Sequence, residues 1–272
     1  MILKNKKGLI LGALDENSIA WKVAEQAKKE GAEIVLSNTA MAIRMGNIDE
    51  LGKKINSPVI AADATSVDEL NDLWESTLNH FGSGVDFVLH SVGMSPNVRK
   101  RIPYQELDYN FLNKTLDVSA ISLHKLLQTA WELNAINDEG SVVALSYIAA
   151  QRTFSGYSDM AEAKALLESI VRSFGYHYGR KNKVRINSIS QAPTNTTAGS
   201  SIEGFGDLYT FSEKLSPLGN PDAQACAEYC ISLFSDMTRG VTMQNLFHDG
   251  GYSSMGMSED LMQEIEKCLM KK

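Results

Sequence analysis

The sequence predicts an α/β protein: a doubly wound, mostly parallel seven-stranded sheet with helices on both faces. Three observations lead there. Short runs rich in Val, Ile and Leu recur along all 272 residues. Segments with apolar residues at helical spacing separate them. Those segments are too long for hairpins, so consecutive strands run mostly parallel and are buried on both faces.

In chain order, GLILG at 8–12 forms the first strand. Ile19, Ala20, Val23, Ala24 and Ala27 then share one helix face up to Gly31, a natural stop. EIVL at 33–36 and PVIAA at 58–62 are the second and third strands, and SVDE at 66–69 has the form of a capping box opening a helix to about Phe81. DFVLH at 86–90, GSVVAL at 140–145 and KVRINSI at 183–189 follow, separated by helices around 112–133 and 157–178. MQNLF at 243–247 supplies the seventh strand. This is the pattern of a Rossmann-type sheet, and no Pro-rich or Ser/Gly-rich linker divides it, so one domain is expected over 1–272. One stretch breaks the rhythm. SQAPTNTTAGSSIEGFGDLYTF at 190–211 is rich in Gly, Ser and Thr just after strand six, where an open parallel sheet presents its ligand crevice, and 194–211 is read as a substrate-binding lid.

A net charge of -7 argues against a nucleic-acid binder. The start MILKNKKGLILGAL has no apolar stretch long enough for a signal peptide, and no segment approaches the roughly 20 apolar residues of a membrane span. A cytoplasmic protein is expected. Cys226, Cys230 and Cys268 have no metal-ligand spacing and read as buried thiols, an odd count that suits a reducing compartment.

The candidate chemistry gathers at the carboxyl ends of the strands. The first turn, GALDENSIA at 12–20, keeps Gly12 but lacks the full G-x-G-x-x-G fingerprint. Gly12 and Ser18 would expose backbone amides and a hydroxyl to a phosphate; equally, Ser18 or Asn17 is an ordinary N-cap. Asp63 and Ala64 after strand three suit an adenine edge or form a plain turn. In HSVGMS at 90–95, Gly93 either lets the backbone pass close to a cofactor or is present only for its dihedrals.

The stretch SYIAAQRTFSGYSDMAEAKALLES at 146–169 contains Tyr147, Tyr157 and Lys164. If Tyr157 opens the helix, seven residues fall only about 20° short of two turns, whereas four overshoot one turn by about 40°. Both spacings turn the lysine to the tyrosine's side, the longer adding about 4.5 Å along the axis. An ammonium there would favour the phenolate by charge proximity. The bland alternative is packing with a snorkelling amine.

Taken together, Gly12-x5-Ser18-Ile19-Ala20, His90-Ser-Val-Gly93, Ser146-Tyr147 with Tyr157-x6-Lys164, Arg185-Ile-Asn187 and His248-Asp-Gly-Gly251 resemble the NADH-dependent enoyl-acyl-carrier-protein reductases of bacterial type II fatty-acid synthesis, in the short-chain dehydrogenase/reductase superfamily. The similarity covers nearly the whole chain. Tyr-x6-Lys with a tyrosine ten residues upstream marks that family; the superfamily's usual Tyr-x3-Lys is absent, Ala161 holding the fourth position. The resemblance implies that Tyr157 hydrogen-bonds the thioester carbonyl, Lys164 holds the nicotinamide ribose and Tyr147 lines the acyl site. It also implies cofactor contacts from Gly12, Ser18, Ile19, Thr39, Asp63, Ala64, Ser91, Val92, Gly93 and Pro193, Thr194, Asn195, Thr196 and Thr197, with Ser95 and Phe205 near the substrate and no metal.

NADH is expected over NADPH, because Ser37-Asn38-Thr39 carries no basic pair for a 2′-phosphate, although Arg44 lies five residues on and no acid binds the ribose diol. Ser190-Gln-Ala-Pro193 departs from the family's Ser-Ala-Gly-Pro. Acyl carrier protein is the implied partner and a homotetramer the implied assembly. Arg99-Lys100-Arg101 would meet an acidic carrier or form a solvated basic patch. Two alternatives stand beside this reading: a carbonyl (3-oxoacyl) reductase, for which Tyr147 occupies the place of the needed serine, and a nucleotide-sensing module without turnover.

Overall fold

Seven strands pair in the order β3-β2-β1-β4-β5-β6-β7, and every pairing is parallel. The computed structural model describes residues 1–200 and 205–270. The strands are β1 (Lys7–Leu11), β2 (Glu33–Asn38), β3 (Val59–Ala61), β4 (Val85–His90), β5 (Ile136–Ser146), β6 (Arg185–Gln191) and β7 (Asn245–His248). All seven expected strands are present; β3 is shorter than the sequence suggests and β5 longer.

Side chains alternate between the two faces, as the pleat requires. Leu9, Leu11, Val88, Val142 and Ala144 face one core with Trp74, Leu126, Leu167 and Tyr178. Ile10, Phe87, Leu89, Val143 and Ile189 face the other with Trp21, Val23, Cys226, Cys230 and Phe234. A Cβ on Gly8 would strike the Phe87 ring at 2.1 Å, so the absent side chain lets Phe87 stack on Phe234, centroids 4.6 Å apart.

The helices are α1 (Ile19–Lys29), α2 (Ala40–Met45), α3 (Ile48–Lys54), α4 (Val67–Phe81), α5 (Pro96–Arg99), α6 (Tyr109–Leu116), α7 (Ser122–Glu132), α8 (Met160–Asn182), α9 (Thr197–Ser200), α10 (Phe205–Leu215), α11 (Ala223–Phe234) and α12 (Glu259–Met270). Ser66 caps α4 through Glu69 N, but the Glu69 carboxylate accepts from Asp63 N, since the Ser66 amide is held by the Asp63 carbonyl; the expected capping box is half formed. The helical region around 112–133 is not uniform. A π-turn, Asp117–Ile121, separates α6 from α7 and turns the Ser119 hydroxyl onto Met94, accepting from its amide at 2.9 Å and donating to its carbonyl at 3.1 Å. The expected lid is likewise not an irregular loop, because α9 and the start of α10 lie in it; 201–204 fall outside the described residues. Cys268 is exposed on α12, against the expectation of a buried thiol. Among the described residues no helix is long and apolar enough to cross a membrane.

Candidate active site

The strand order reverses between β1 and β4, where an open α/β sheet forms its ligand crevice. Gly12 follows β1 with φ +100°, and a Cβ there would lie 2.0 Å from the Ser91 carbonyl oxygen, so only glycine lets the ends of β1 and β4 approach this closely. Ser18 is the N-cap of α1. Its hydroxyl accepts from Trp21 N and Leu14 N and donates to the Asp15 carbonyl, which engages it fully in the turn. The amides of Ile19 and Ala20, without intrahelical acceptors, are what this helix end offers an anion. Thr39 caps α2. Asp63 binds Thr65 through its carboxylate, and Ala64 packs into the core. All stand on the same edge of the sheet.

Gly93 has no left-handed backbone, and a Cβ there would meet Lys164 Nζ at 3.7 Å and Ser119 Oγ at 3.8 Å, ordinary contacts. The fold therefore does not require glycine at this position. The small side borders the buried Lys164 ammonium, which donates to the Leu145 carbonyl over 2.8 Å. Burial brings the Lys164 pKa down to about 8, with Glu168 opposing the shift. His90, at the end of β4, is brought to about 3 by burial and then by the Lys164 charge, so it is neutral. Its Nε2 meets Ser122 Oγ at 2.8 Å, and because that hydroxyl donates to the Val118 carbonyl, the histidine is the donor.

Tyr157 does not open α8. The helix starts at Met160, and Tyr157 sits in the preceding turn with Ser158 at φ +47°. The helical-wheel relation to Lys164 therefore does not hold; the turn, not the rotation of one helix, sets where the phenol stands. It lies with its ring centroid 4.8 Å from that of Tyr147, in a cluster with Ile148, Phe154, Ala161, Leu208 and Tyr252. Burial alone raises its pKa. The expectation that Lys164 favours a phenolate is thus overturned: the phenol is held protonated. Burial, then Tyr157, also raises Tyr147, whose buried hydroxyl has no hydrogen-bond partner among the described residues. Beside the pair opens a cleft of about 520 Å³, walled by Ile148, Arg152, Phe154, Leu208, Phe211 and Tyr252 among others.

The family model for enoyl-(acyl carrier protein) reductases matches residues 12–253, the span that holds every one of these groups. The chain belongs to that family. It is 32% identical to the enoyl-acyl-carrier-protein reductase (NADH) FabI of Rickettsia typhi over 95% of this chain and 98% of the relative, and 29% identical to that of Aquifex aeolicus over 97% and 98%. Among solved structures, the FabI–NADH complex from Alistipes finegoldii superposes with a TM-score of 0.93 at 65% identity, covering 94% of this chain and 91% of that one.

Within this enoyl-acyl-carrier-protein reductase, two expected substrate residues are engaged by other partners. Ser95 is buried as the N-cap of α5 and donates to Asp159 at 2.6 Å, so its hydroxyl belongs to the scaffold. Phe205 packs on Tyr209 and does not wall the cleft, which Leu208 and Phe211 of the same helix reach instead. After β6, Pro193 and Thr194 are buried, while Asn195 and Thr197 are exposed; Thr196 Oγ1 accepts from Gly199 N. The departing Gln191 is a tie: it pairs with His248 Nδ1 at 2.7 Å and donates to Thr194 Oγ1 and the Pro221 carbonyl. Arg185 and Asn187 are structural, binding the carbonyls of Leu233, Ser235 and Val241. Sequence reasoning passed over Phe154, Tyr252 and Ser119. Phe154 lay inside the stretch already singled out, but nothing local marks Tyr252 or a serine on a π-turn.

Proposed function

We infer that this enoyl-acyl-carrier-protein reductase reduces the trans-2 double bond of enoyl-acyl-carrier-protein thioesters with NADH in fatty-acid elongation. The observation that carries the reading is the buried, unpartnered Tyr147 hydroxyl beside the protonated Tyr157 phenol, packed against Ile148, Phe154, Leu208 and Tyr252, which wall the cleft. A buried donor without a partner marks a place where a ligand's acceptor belongs.

The residues present also suit a dinucleotide. Gly93 leaves space beside Lys164, and the Ile19 and Ala20 amides at the start of α1 meet a pyrophosphate favourably. When bound, NADH supplies the hydride that lands on the β-carbon. Lys164 holds the ribose hydroxyls with its ammonium. Tyr157 donates its phenolic proton in a hydrogen bond to the thioester oxygen, where negative charge develops, and this preorganised donor lowers the barrier. Tyr147 closes the same side of the acyl site, and Phe154, Leu208, Phe211 and Tyr252 keep water from the chain.

The position of the donor argues against a carbonyl reductase. In ketone reduction, hydride and proton go to the two atoms of one carbonyl. In enoyl reduction, hydride lands two bonds further from the oxygen, so donor and hydride target are further apart. The turn before Met160 provides a displaced tyrosine, and Tyr147 takes the place of the serine a carbonyl reductase needs. Further parts of this reading are a single domain over 1–272 with 194–211 closing on ligand, a cytoplasmic homotetramer, and acyl carrier protein as the substrate's carrier. Following NADH absorbance with crotonyl and acetoacetyl thioesters tests the function. Crotonyl should be reduced, with NADH preferred to NADPH; faster acetoacetyl reduction, or NADH binding without turnover, would overturn it.

A further inference from the structure

Asp159 lies two residues after Tyr157 and is wholly buried. Its carboxylate accepts from three neutral side chains on two stretches of chain, the start of α5 and α6. Ser95 Oγ donates to Oδ1 at 2.6 Å. Asn97 Nδ2 donates to Oδ2 at 2.7 Å. Thr115 Oγ1 reaches Oδ2 at 2.8 Å while sharing its proton with the Phe111 carbonyl. A carboxylate taken out of water is tolerated only where donors replace its hydration, and here each donor comes from an element that borders the reacting groups. Ser95 ends the loop that carries Gly93 and caps α5. Asn97 sits on α5 and clasps the backbone of Asp108 at the start of α6. Thr115 is on α6.

The same elements back the tyrosine ring. Tyr157 packs in a small cluster with Val98 of α5, Leu116 of α6, and Met160 and Ala163 of α8. Between the ring and the carboxylate lies Ser158 in the left-handed region, a conformation that persists only when its surroundings hold it. We propose that Asp159 is a positioning residue for the reaction: its carboxylate ties the Tyr157 turn to the 91–95 loop and to α5 and α6, and so sets where the phenol stands relative to the cofactor side of the site. The inference rests on the role assigned to Tyr157 above. It goes further in naming a buried acid that acts through that tyrosine.

A double-mutant cycle tests it. Asp159→Asn keeps the shape but turns one acceptor into an NH2 donor that faces either Ser95 or the Asn97–Thr115 pair; Thr115→Val removes one donor and serves should the first variant not fold. Displacing a catalytic donor by a fraction of an ångström is felt in turnover, so kcat with crotonyl thioester should fall about tenfold in Asp159→Asn and about threefold in Thr115→Val, with the NADH Kd within about twofold of wild type. In a Tyr157→Phe background the same changes should cost less than about twofold, because residues acting as a unit are not additive. An unchanged kcat, an equal loss with and without the Tyr157 hydroxyl, or a loss that follows NADH affinity would overturn the inference and leave Asp159 a purely structural acid. Wild-type turnover and the loss in Tyr157→Phe alone test the functional reading itself, so the two failures are distinguishable.

Discussion

The rings of Tyr147 and Tyr157 lie 4.8 Å apart and tilted by 46°, yet among the described residues the Tyr147 hydroxyl bonds to nothing. Stability and function should therefore separate at this residue. Tyr147→Phe removes a buried group that lost its hydration without a replacement, and should stabilise the free protein by about 1 kcal/mol. The same change should lower kcat/KM for crotonyl thioester. Urea unfolding and steady-state kinetics check both; a destabilised variant with full activity would contradict the assignment.

Tyr157→Phe keeps the ring in its cluster and removes only the donor. Turnover of crotonyl thioester should fall about a hundredfold, the size of effect seen when one oxyanion donor is lost, while NADH binding stays near wild type. Fluorescence titration with NADH beside the rate assay separates the two, and unchanged turnover would refute the donor role.

The two glycines of the crevice should behave oppositely. Gly12→Ala places a Cβ 2.0 Å from the Ser91 carbonyl oxygen at φ +100° and should destabilise the fold by more than about 2 kcal/mol. Gly93→Ala meets only ordinary contacts, so its melting temperature should hold while its affinity for NADH drops. Thermal unfolding with and without NADH reads both effects at once.

Lys164 gives opposite pH trends in binding and stability. With its pKa brought to about 8 by burial, the ammonium is lost as pH rises through that value, and NADH affinity should weaken over the same range. The unfolded chain binds the proton more strongly, up to the ordinary lysine value of about 10.4. This residue's contribution to stability therefore rises with pH between those two values. Lys164→Met should flatten both curves; the neutral His90 cannot supply either trend, since it titrates far lower.

Hydrogen exchange with and without NADH checks the proposed closing of 194–211. Leu208 and Phe211 already wall the cleft, and Gly199 and Gly206, poor helix formers, lie within α9 and α10, so protection should appear on binding. The same protection in both states would show a segment that does not move.

Much of this protein is legible in its amino-acid order. Leu9 and Ile10, or Val142 and Val143, announce strands buried on both faces, and crossovers of helical length leave only a parallel sheet; such signals are local and repeat along the chain. Gly12, Ser18, Gly93 and Tyr147 were visible by their places after strands or at a helix start, and Tyr157 and Lys164 by their seven-residue spacing and the family resemblance it carries. Tertiary structure decided what those residues touch. The left-handed Ser158 moves Tyr157 out of the helix, which spacing alone cannot reveal, because a turn's dihedrals depend on the contacts that hold them. Ser95 looked like a substrate contact until Asp159, 64 residues away in sequence, took its hydroxyl. Burial, absent from any list of residues, keeps the Tyr157 phenol protonated and loosens the Lys164 proton, since the free energy of a charge depends on the water its neighbours exclude.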